Sequence, residues 1–280
     1  MTEQFKTNTD ENYFLKAEGL TMHFPAASDA LGRPTSWIHA ADDVSFAVPK
    51  GKTLGIVGES GCGKSTVGKM LLDIYRPTGG KIFYEGKDIT ALSPKERRPY
   101  VKKMQLVWQD PYSSLDPRLR AGDIIAEPID NFRLAANRAE RAEKVERLMQ
   151  MCGLYPEMAT HYPHQFSGGQ RQRICIARAL ATDPEFVVCD EAVSALDVSI
   201  QAQIINLLQD LKEQADLTYL FITHDLSVVK YISDRIGVMY LGTMVELADS
   251  QEIFDNPVHP YTEALLGAIP TTENEEKREL

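Results

Sequence analysis

The residues Gly58-Glu59-Ser60-Gly61-Cys62-Gly63-Lys64-Ser65-Thr66 read G-x-x-x-x-G-K-S, a phosphate-binding pattern. Glycine at 58, 61 and 63 permits positive φ and lets the backbone come close to a ligand. The free N–H groups of such a loop point at phosphate oxygens, and the dipole of a helix starting there adds to the attraction. Lys64 supplies a mobile positive charge for the outer phosphates, and the Ser65 hydroxyl suits Mg2+. A glycine-rich turn without function would carry the same glycines. The flanks argue against it: the apolar run Thr53–Val57 precedes the loop as a buried strand would, and Val67, Met70, Leu71 and Ile74 follow at helical spacing.

Further reactive side chains follow other apolar runs. Phe186-Val187-Val188-Cys189 ends in Asp190-Glu191, and an Asp at the C-terminal end of a parallel strand lies where ligands bind in such sheets. Asp190 is expected to hold Mg2+ and Glu191 to act as general base on the attacking water; the alternative for Asp190 is a helix cap. His224 follows the run Tyr219–Ile222 on the same side, where it can contact the γ-phosphate, although a lone His is often purely structural. Gln109, before Pro111, offers a neutral amide to Mg2+ or water. Asp197 fits a helix N-cap as well as it fits a site. Ser167-Gly168-Gly169-Gln170, at the start of another helical stretch, makes a second anion-binding nest. One ATP does not need two nests on one chain, so each nest is expected to serve a partner's nucleotide in a dimer.

These positions require an α/β core. An antiparallel β region is expected from Phe14 to Pro49, interrupted by a polar loop from Pro25 to Pro34. The helix after the phosphate loop should stop at Pro77-Thr78-Gly79-Gly80, and Lys81–Tyr84 and Val101–Trp108 read as strands. Ala121–Cys152 has a charged helical pattern, with Glu143 and Arg147 as an i,i+4 pair, and reads as part of an inserted helical subdomain over about 110–170. Ile200, Ile204, Leu207, Leu208 and Leu211 mark one face of a long helix, Val228–Ile232 a short one, Arg235–Leu247 a hairpin around Gly242, and Glu252–Ile269 broken helix. Residues 1–13 are expected to fray and the charged last ten to be disordered.

Bulk properties narrow the partners. The 280 residues are 43% hydrophobic, as in a soluble globular protein, with no uninterrupted apolar stretch long enough for a membrane span and no secretory pattern at the N-terminus. A cytosolic protein that reaches any membrane through a partner is the expectation. A formal net charge of −10 argues against nucleic acid as a partner. Cys62, Cys152, Cys175 and Cys189 are scattered without a C-x-x-C and are expected to be packed thiols.

Taken together these motifs resemble the ATP-binding subunits of ABC transporters. The likeness covers about 14–269: phosphate loop, Gln109, signature Phe166-Ser167-Gly168-Gly169-Gln170, Asp190-Glu191, Ser194-Ala195-Leu196-Asp197 and His224. It implies a RecA-like P-loop core with an antiparallel β subdomain and an inserted helical subdomain. It also implies a head-to-tail dimer sandwiching ATP, with Ser167–Gln170 and Asp197 acting on the partner's nucleotide, and an aromatic stacked on adenine, either Phe24 or Trp37. Gln109-Asp110-Pro111-Tyr112-Ser113-Ser114-Leu115-Asp116-Pro117-Arg118, Ser194–Gln203 and His259-Pro260-Tyr261-Thr262 further resemble the dipeptide/oligopeptide/nickel importer ATPases. That likeness implies a peripheral protein on the cytoplasmic face of a bacterial membrane, with a paralogous second ATPase subunit, two transmembrane permease subunits and, indirectly, an extracellular solute-binding protein. Peptides are the expected substrate, with nickel or oligosaccharides as alternatives; a nucleic-acid-associated ABC ATPase would need long coiled-coil insertions or basic surfaces. Ala192 stands where the family usually has proline, which would loosen that turn. A family-specific extension covers 235–280, and the absence of cysteine after Cys189 leads to an expectation of no iron–sulfur cluster.

Overall fold

The structure, a computed structural model, describes residues 13–29 and 33–268. The expectations of a frayed N-terminus and a disordered C-terminal end fall almost wholly outside these residues.

The chain opens on a long antiparallel hairpin, β1 (Tyr13–Ser28) and β2 (Pro34–Pro49). Pro25 was expected to begin a loop, yet Pro25 pairs with Trp37 and Ala27 with Ser36. The reason is positional. On its other side β1 pairs with β4 (Gly79–Tyr84) only as far as Thr21, so among the described residues the strand beyond it has a free edge, where a missing proline N–H does no harm. β3 (Thr53–Val57) then leads through the phosphate loop into α1 (Lys64–Leu71).

That helix stops well before Pro77. Asp73 turns left-handed at φ 59, and the N–H groups of Ile74 and Tyr75 bond back to the Lys69 carbonyl, so Ile74 lies beyond the helix and is 44% exposed. After β4 and β5 (Lys87–Asp88) comes α2 (Pro94–Lys103), where a strand beginning at Val101 was expected; β6 covers only Met104–Val107. The start of α2 is written in the sequence as Ser93-Pro94-Lys95-Glu96: the Glu96 carboxylate accepts from the Ser93 N–H at 3.0 Å, and proline occupies the first turn.

The helical piece follows: α3 (Pro111–Ser114), α4 (Ala121–Phe132), α5 (Arg138–Met151) and α6 (Gly168–Leu180). β7 (Phe186–Asp190), α7 (Val198–Ala215), β8 (Thr218–Ile222) and α8 (Leu226–Ile232) return to the core. The hairpin β9 (Arg235–Tyr240) and β10 (Thr243–Asp249) leads to α9 (Ser250–Asp255) and α10 (Pro260–Gly267).

Two sheets result. β2-β1-β4-β5 is antiparallel, and β10-β9-β3-β8-β7-β6 is parallel except for β10. Every residue of β3, β7 and β8 is buried, as expected of parallel strands covered on both faces. On one face Leu54, Ile56, Val188 and Leu220 pack with α1 and the antiparallel sheet. On the other, Val187, Cys189, Tyr219 and Phe221 pack with α4–α7, so the helical piece shares the core of the sheet.

Candidate functional site

Parallel pairing in the order β3, β8, β7, β6 sends the C-terminal ends of these strands to one edge. Each carries a residue singled out from the sequence: the phosphate loop after β3, His224 after β8, Asp190-Glu191 at the end of β7, and Gln109 just past β6. The Ser65 hydroxyl donates to Asp190 Oδ1 at 2.6 Å. Gln109 Nε2 donates to Glu191 Oε2 at 2.8 Å, and His224 Nδ1 stands 3.6 Å from the same oxygen. Side chains following two other strands, β6 and β8, thus converge on the Glu191 carboxylate, whose backbone is held left-handed at φ 47. The Glu191 N–H donates to the Ile222 carbonyl at 2.9 Å, and its carbonyl accepts from the Ser194 N–H and hydroxyl. The Ala192 turn is thereby tied down from both sides, and Ala192 itself is buried.

The electrostatics suit a nucleotide with a hard cation. Asp190 is buried, and burial raises its carboxyl above the ordinary value despite the hydrogen bond from Ser65 and the nearby charges of Lys69 and Lys64. A carboxylate beside a hydroxyl is an oxygen donor set that Mg2+ accepts. Lys64 is buried, its ammonium donating to the carbonyls of Gly58 at 2.7 Å and Glu59 at 2.8 Å. Beside it opens a cavity of about 410 Å3, lined by Ser60, Gly61, Gly63, Lys64, Ser65, Thr66, Gln109 and Glu191. The rest of its wall is Ile38, His39 and Ala40 of β2 with Leu241 and Gly242 from the β9–β10 turn. Sequence reasoning missed these five; the contacts that bring them in, such as Gly242 N–H to the Cys62 carbonyl at 3.0 Å, are long-range and leave no local signal.

Other candidates stand elsewhere. The Phe24 ring packs edge-to-face on Tyr75, centroids 5.3 Å apart, against the core, while Trp37 is 51% exposed; neither lines the cavity. Ser167–Gln170 also lie off the cavity wall. Ser167 and Gln170 close a reciprocal cap on α6, with the Gln170 N–H donating to the Ser167 hydroxyl and the Ser167 N–H to Gln170 Oε1. Asp197 caps α7 through Oδ1, which accepts from the Ile200 N–H at 3.0 Å. Glu59 is exposed; Cys62 and the other three cysteines are buried and free. Burial pushes the Cys152 and Cys189 thiols up to about 12.

The ABC transporter family profile matches residues 41–194. Among solved structures, the chain superposes with a TM-score of 0.75 and 28% identity on a dimeric ATP-binding cassette in a post-hydrolysis state bound to ADP and Pi, covering 84% of this chain and 98% of that one. Fold and site therefore define an ABC-type ATPase. A second profile, the oligopeptide/dipeptide transporter C-terminal region, matches 245–280. The chain is 53% identical over 267 residues to the oligopeptide transport ATP-binding protein AppF of Bacillus subtilis (strain 168), covering 95% of this chain and 81% of the relative. It is 54% identical over 246 residues to OppF of the same organism, covering 88% and 81%. The chain belongs to the oligopeptide/dipeptide ABC transporter family and is one of its ATP-hydrolysing subunits.

Proposed function

We propose that this chain binds MgATP on the loop Gly58–Thr66 and that hydrolysis powers peptide uptake through an ABC importer at the cytoplasmic face of a bacterial membrane. The observation that carries the catalytic part is the convergence of Gln109 and His224 on Glu191 beside the phosphate-loop cavity. Lys64 exchanges its carbonyl partners for the outer phosphates, and the loop N–H groups hold the rest of the chain of phosphates. Ser65, Asp190 and Gln109 are the ligands suited to Mg2+, which when bound neutralises the developing phosphate charge. Glu191 takes the proton of the attacking water, and His224 orients that water against the γ-phosphate. Ser167–Gln170 and Asp197 act on the nucleotide of the second ATPase subunit, a paralogue, so that ATP holds the two subunits together. The adenine partner is an aromatic of the hairpin, Phe24 or Trp37.

Two permease subunits are the remaining partners, with an extracellular solute-binding protein reached through them. A groove of about 700 Å3 between β6, α2 and α4, lined by Leu72, Ile74, Val101, Trp108, Gln109 and Pro128, supports a docking role. Ile74, Val101 and Trp108 are each more than a third exposed there, a cluster of apolar side chains that a membrane subunit would cover. Gln109 lies on both this groove and the nucleotide cavity, a route by which closure reaches the membrane. Peptide is the substrate supported by the relatives, which are named for oligopeptide transport, and by one at 49% identity named for glutathione import.

The test is uptake of labelled oligopeptides by the assembled transporter in vesicles, with nickel and oligosaccharides as competitors. We expect ATP-dependent peptide accumulation, unaffected by either competitor and abolished by Lys64→Ala in this chain. Accumulation of nickel or oligosaccharide in place of peptide would overturn the substrate.

A further inference from the structure

His259-Pro260-Tyr261-Thr262, which the ATPase chemistry leaves unused, sits against the phosphate loop. Its placement is built from Glu246 on β10, 6% exposed. The two carboxylate oxygens of Glu246 accept from the N–H groups of Val258 at 2.9 Å and His259 at 3.1 Å. His259 Nδ1 accepts from the Tyr261 N–H at 3.2 Å and so caps α10, while Thr262 is fully buried. The Tyr261 ring packs on Tyr240 with centroids 4.3 Å apart. These contacts together aim the Tyr261 hydroxyl, whose oxygen accepts from the Glu59 N–H at 3.1 Å.

That N–H belongs to the peptide joining Gly58 to Glu59. The carbonyl of the same peptide, on Gly58, accepts from the Lys64 ammonium at 2.7 Å. One peptide plane is thus held at its N–H by the C-terminal region and at its oxygen by the lysine of the loop. The plane adjoins a glycine, which offers little resistance to rotation. Once Lys64 turns to a phosphate, the inner hold is lost and the outer one remains. Partial burial raises the Tyr261 phenol above its ordinary value, so the oxygen stays a neutral acceptor at physiological pH.

We propose that Tyr261 is a positioning residue for nucleotide binding: it locks the Gly58–Glu59 peptide so that the loop keeps its phosphate-binding shape while Lys64 changes partners. The C-terminal segment that marks the oligopeptide/dipeptide branch is then part of the nucleotide site. This inference rests on loop 58–66 being where ATP binds.

Tyr261→Phe keeps the ring and removes the acceptor oxygen. We expect the MgATP Kd of the full chain, by calorimetry, and the KM of the assembled transporter to rise about threefold to tenfold, the scale of one lost hydrogen bond. The kcat should stay within about twofold and Tm should fall by no more than about 2–4 °C, the scale of one hydrogen bond in a chain of this size, which separates positioning from general support of the fold. Tyr240→Phe, which keeps the ring contact, should leave KM at the wild-type value. An unchanged KM in Tyr261→Phe would overturn the proposal, as would a lowered Tm accompanied by loss of kcat at constant KM. Lys64→Ala is the separate check on the loop itself: it should lose MgATP binding, and retained binding would overturn the loop as the ATP site whatever Tyr261→Phe does.

Discussion

Gly61 and Gly63 have the same left-handed sign of φ, 82° and 104°, and differ in what surrounds them. A Cβ on Gly63 would lie 1.9 Å from the Ala40 carbonyl oxygen, a backbone atom fixed in β2, whereas a Cβ on Gly61 meets nothing within 4 Å. Gly63→Ala should therefore push the loop off β2 and abolish MgATP binding. Gly61→Ala should cost only the left-handed strain, about 1–2 kcal/mol, and leave binding within reach of titration. Calorimetry and melting of the two variants side by side checks this; equal losses would contradict it. At this scale much was legible. Asp190, Glu191 and His224 each abut an apolar run whose burial is unmistakable, so the strand located the side chain. Phe24 was not settled by such reasoning, because an aromatic chosen for adenine and one chosen for packing look alike in sequence, and here the ring lies on Tyr75.

Between elements, polar side chains do the fastening. Asp234, between α8 and β9, accepts from the Thr53 N–H at 2.8 Å and from the ammonium groups of Lys52 and Lys212 at 2.9 and 3.0 Å, joining β3 to α7. Burial alone would raise its carboxyl; these three donors outweigh it and hold the carboxyl below the ordinary 3.8. A folded-state value that is lowered stabilises the protein above the unfolded value, and the contribution disappears as pH falls through the folded one. Asp234→Asn should cost about 1–2 kcal/mol at pH 7. The gap to wild type should narrow as pH drops below 3.8. Denaturant unfolding across that range measures it, and a gap independent of pH would contradict the ion-pair account. A second fastening joins α3, next to Gln109, to α6. The Arg171 guanidinium lies 3.8 Å over the Tyr112 ring, and Arg178 donates to the Ser114 carbonyl at 2.7 Å. Element types were mostly readable from periodicity, and the misses have physical causes. Val101 lies in a helix because the cap at Ser93–Glu96 starts one that runs through Lys103, and α1 ends early because the left-handed Asp73 reverses the chain before any proline does.

Across the whole molecule, two surfaces bracket Gln109: the cavity on the phosphate loop and the apolar groove beside β6. Only the first was announced by a motif. The groove joins side chains from α1's end, α2, β6 and α4 that are far apart in sequence, and no local pattern encodes it. Val101→Asp, at a position 39% exposed and outside the buried core, should leave MgATP affinity unchanged while greatly reducing recovery of the permease subunits in co-purification. Undiminished recovery would remove the groove as the docking face. We propose that ATP held by this chain is hydrolysed at Glu191, where Gln109 and His224 meet. The most direct measurement is the nucleotide retained and turned over by the assembled transporter when Glu191→Gln is introduced in this chain alone. Retained nucleotide that is ATP, with turnover at this site reduced by several orders of magnitude, on the order of 10^2–10^4 from the lost general base, is the result the structure predicts. ADP formed on this chain at a near wild-type rate would contradict it.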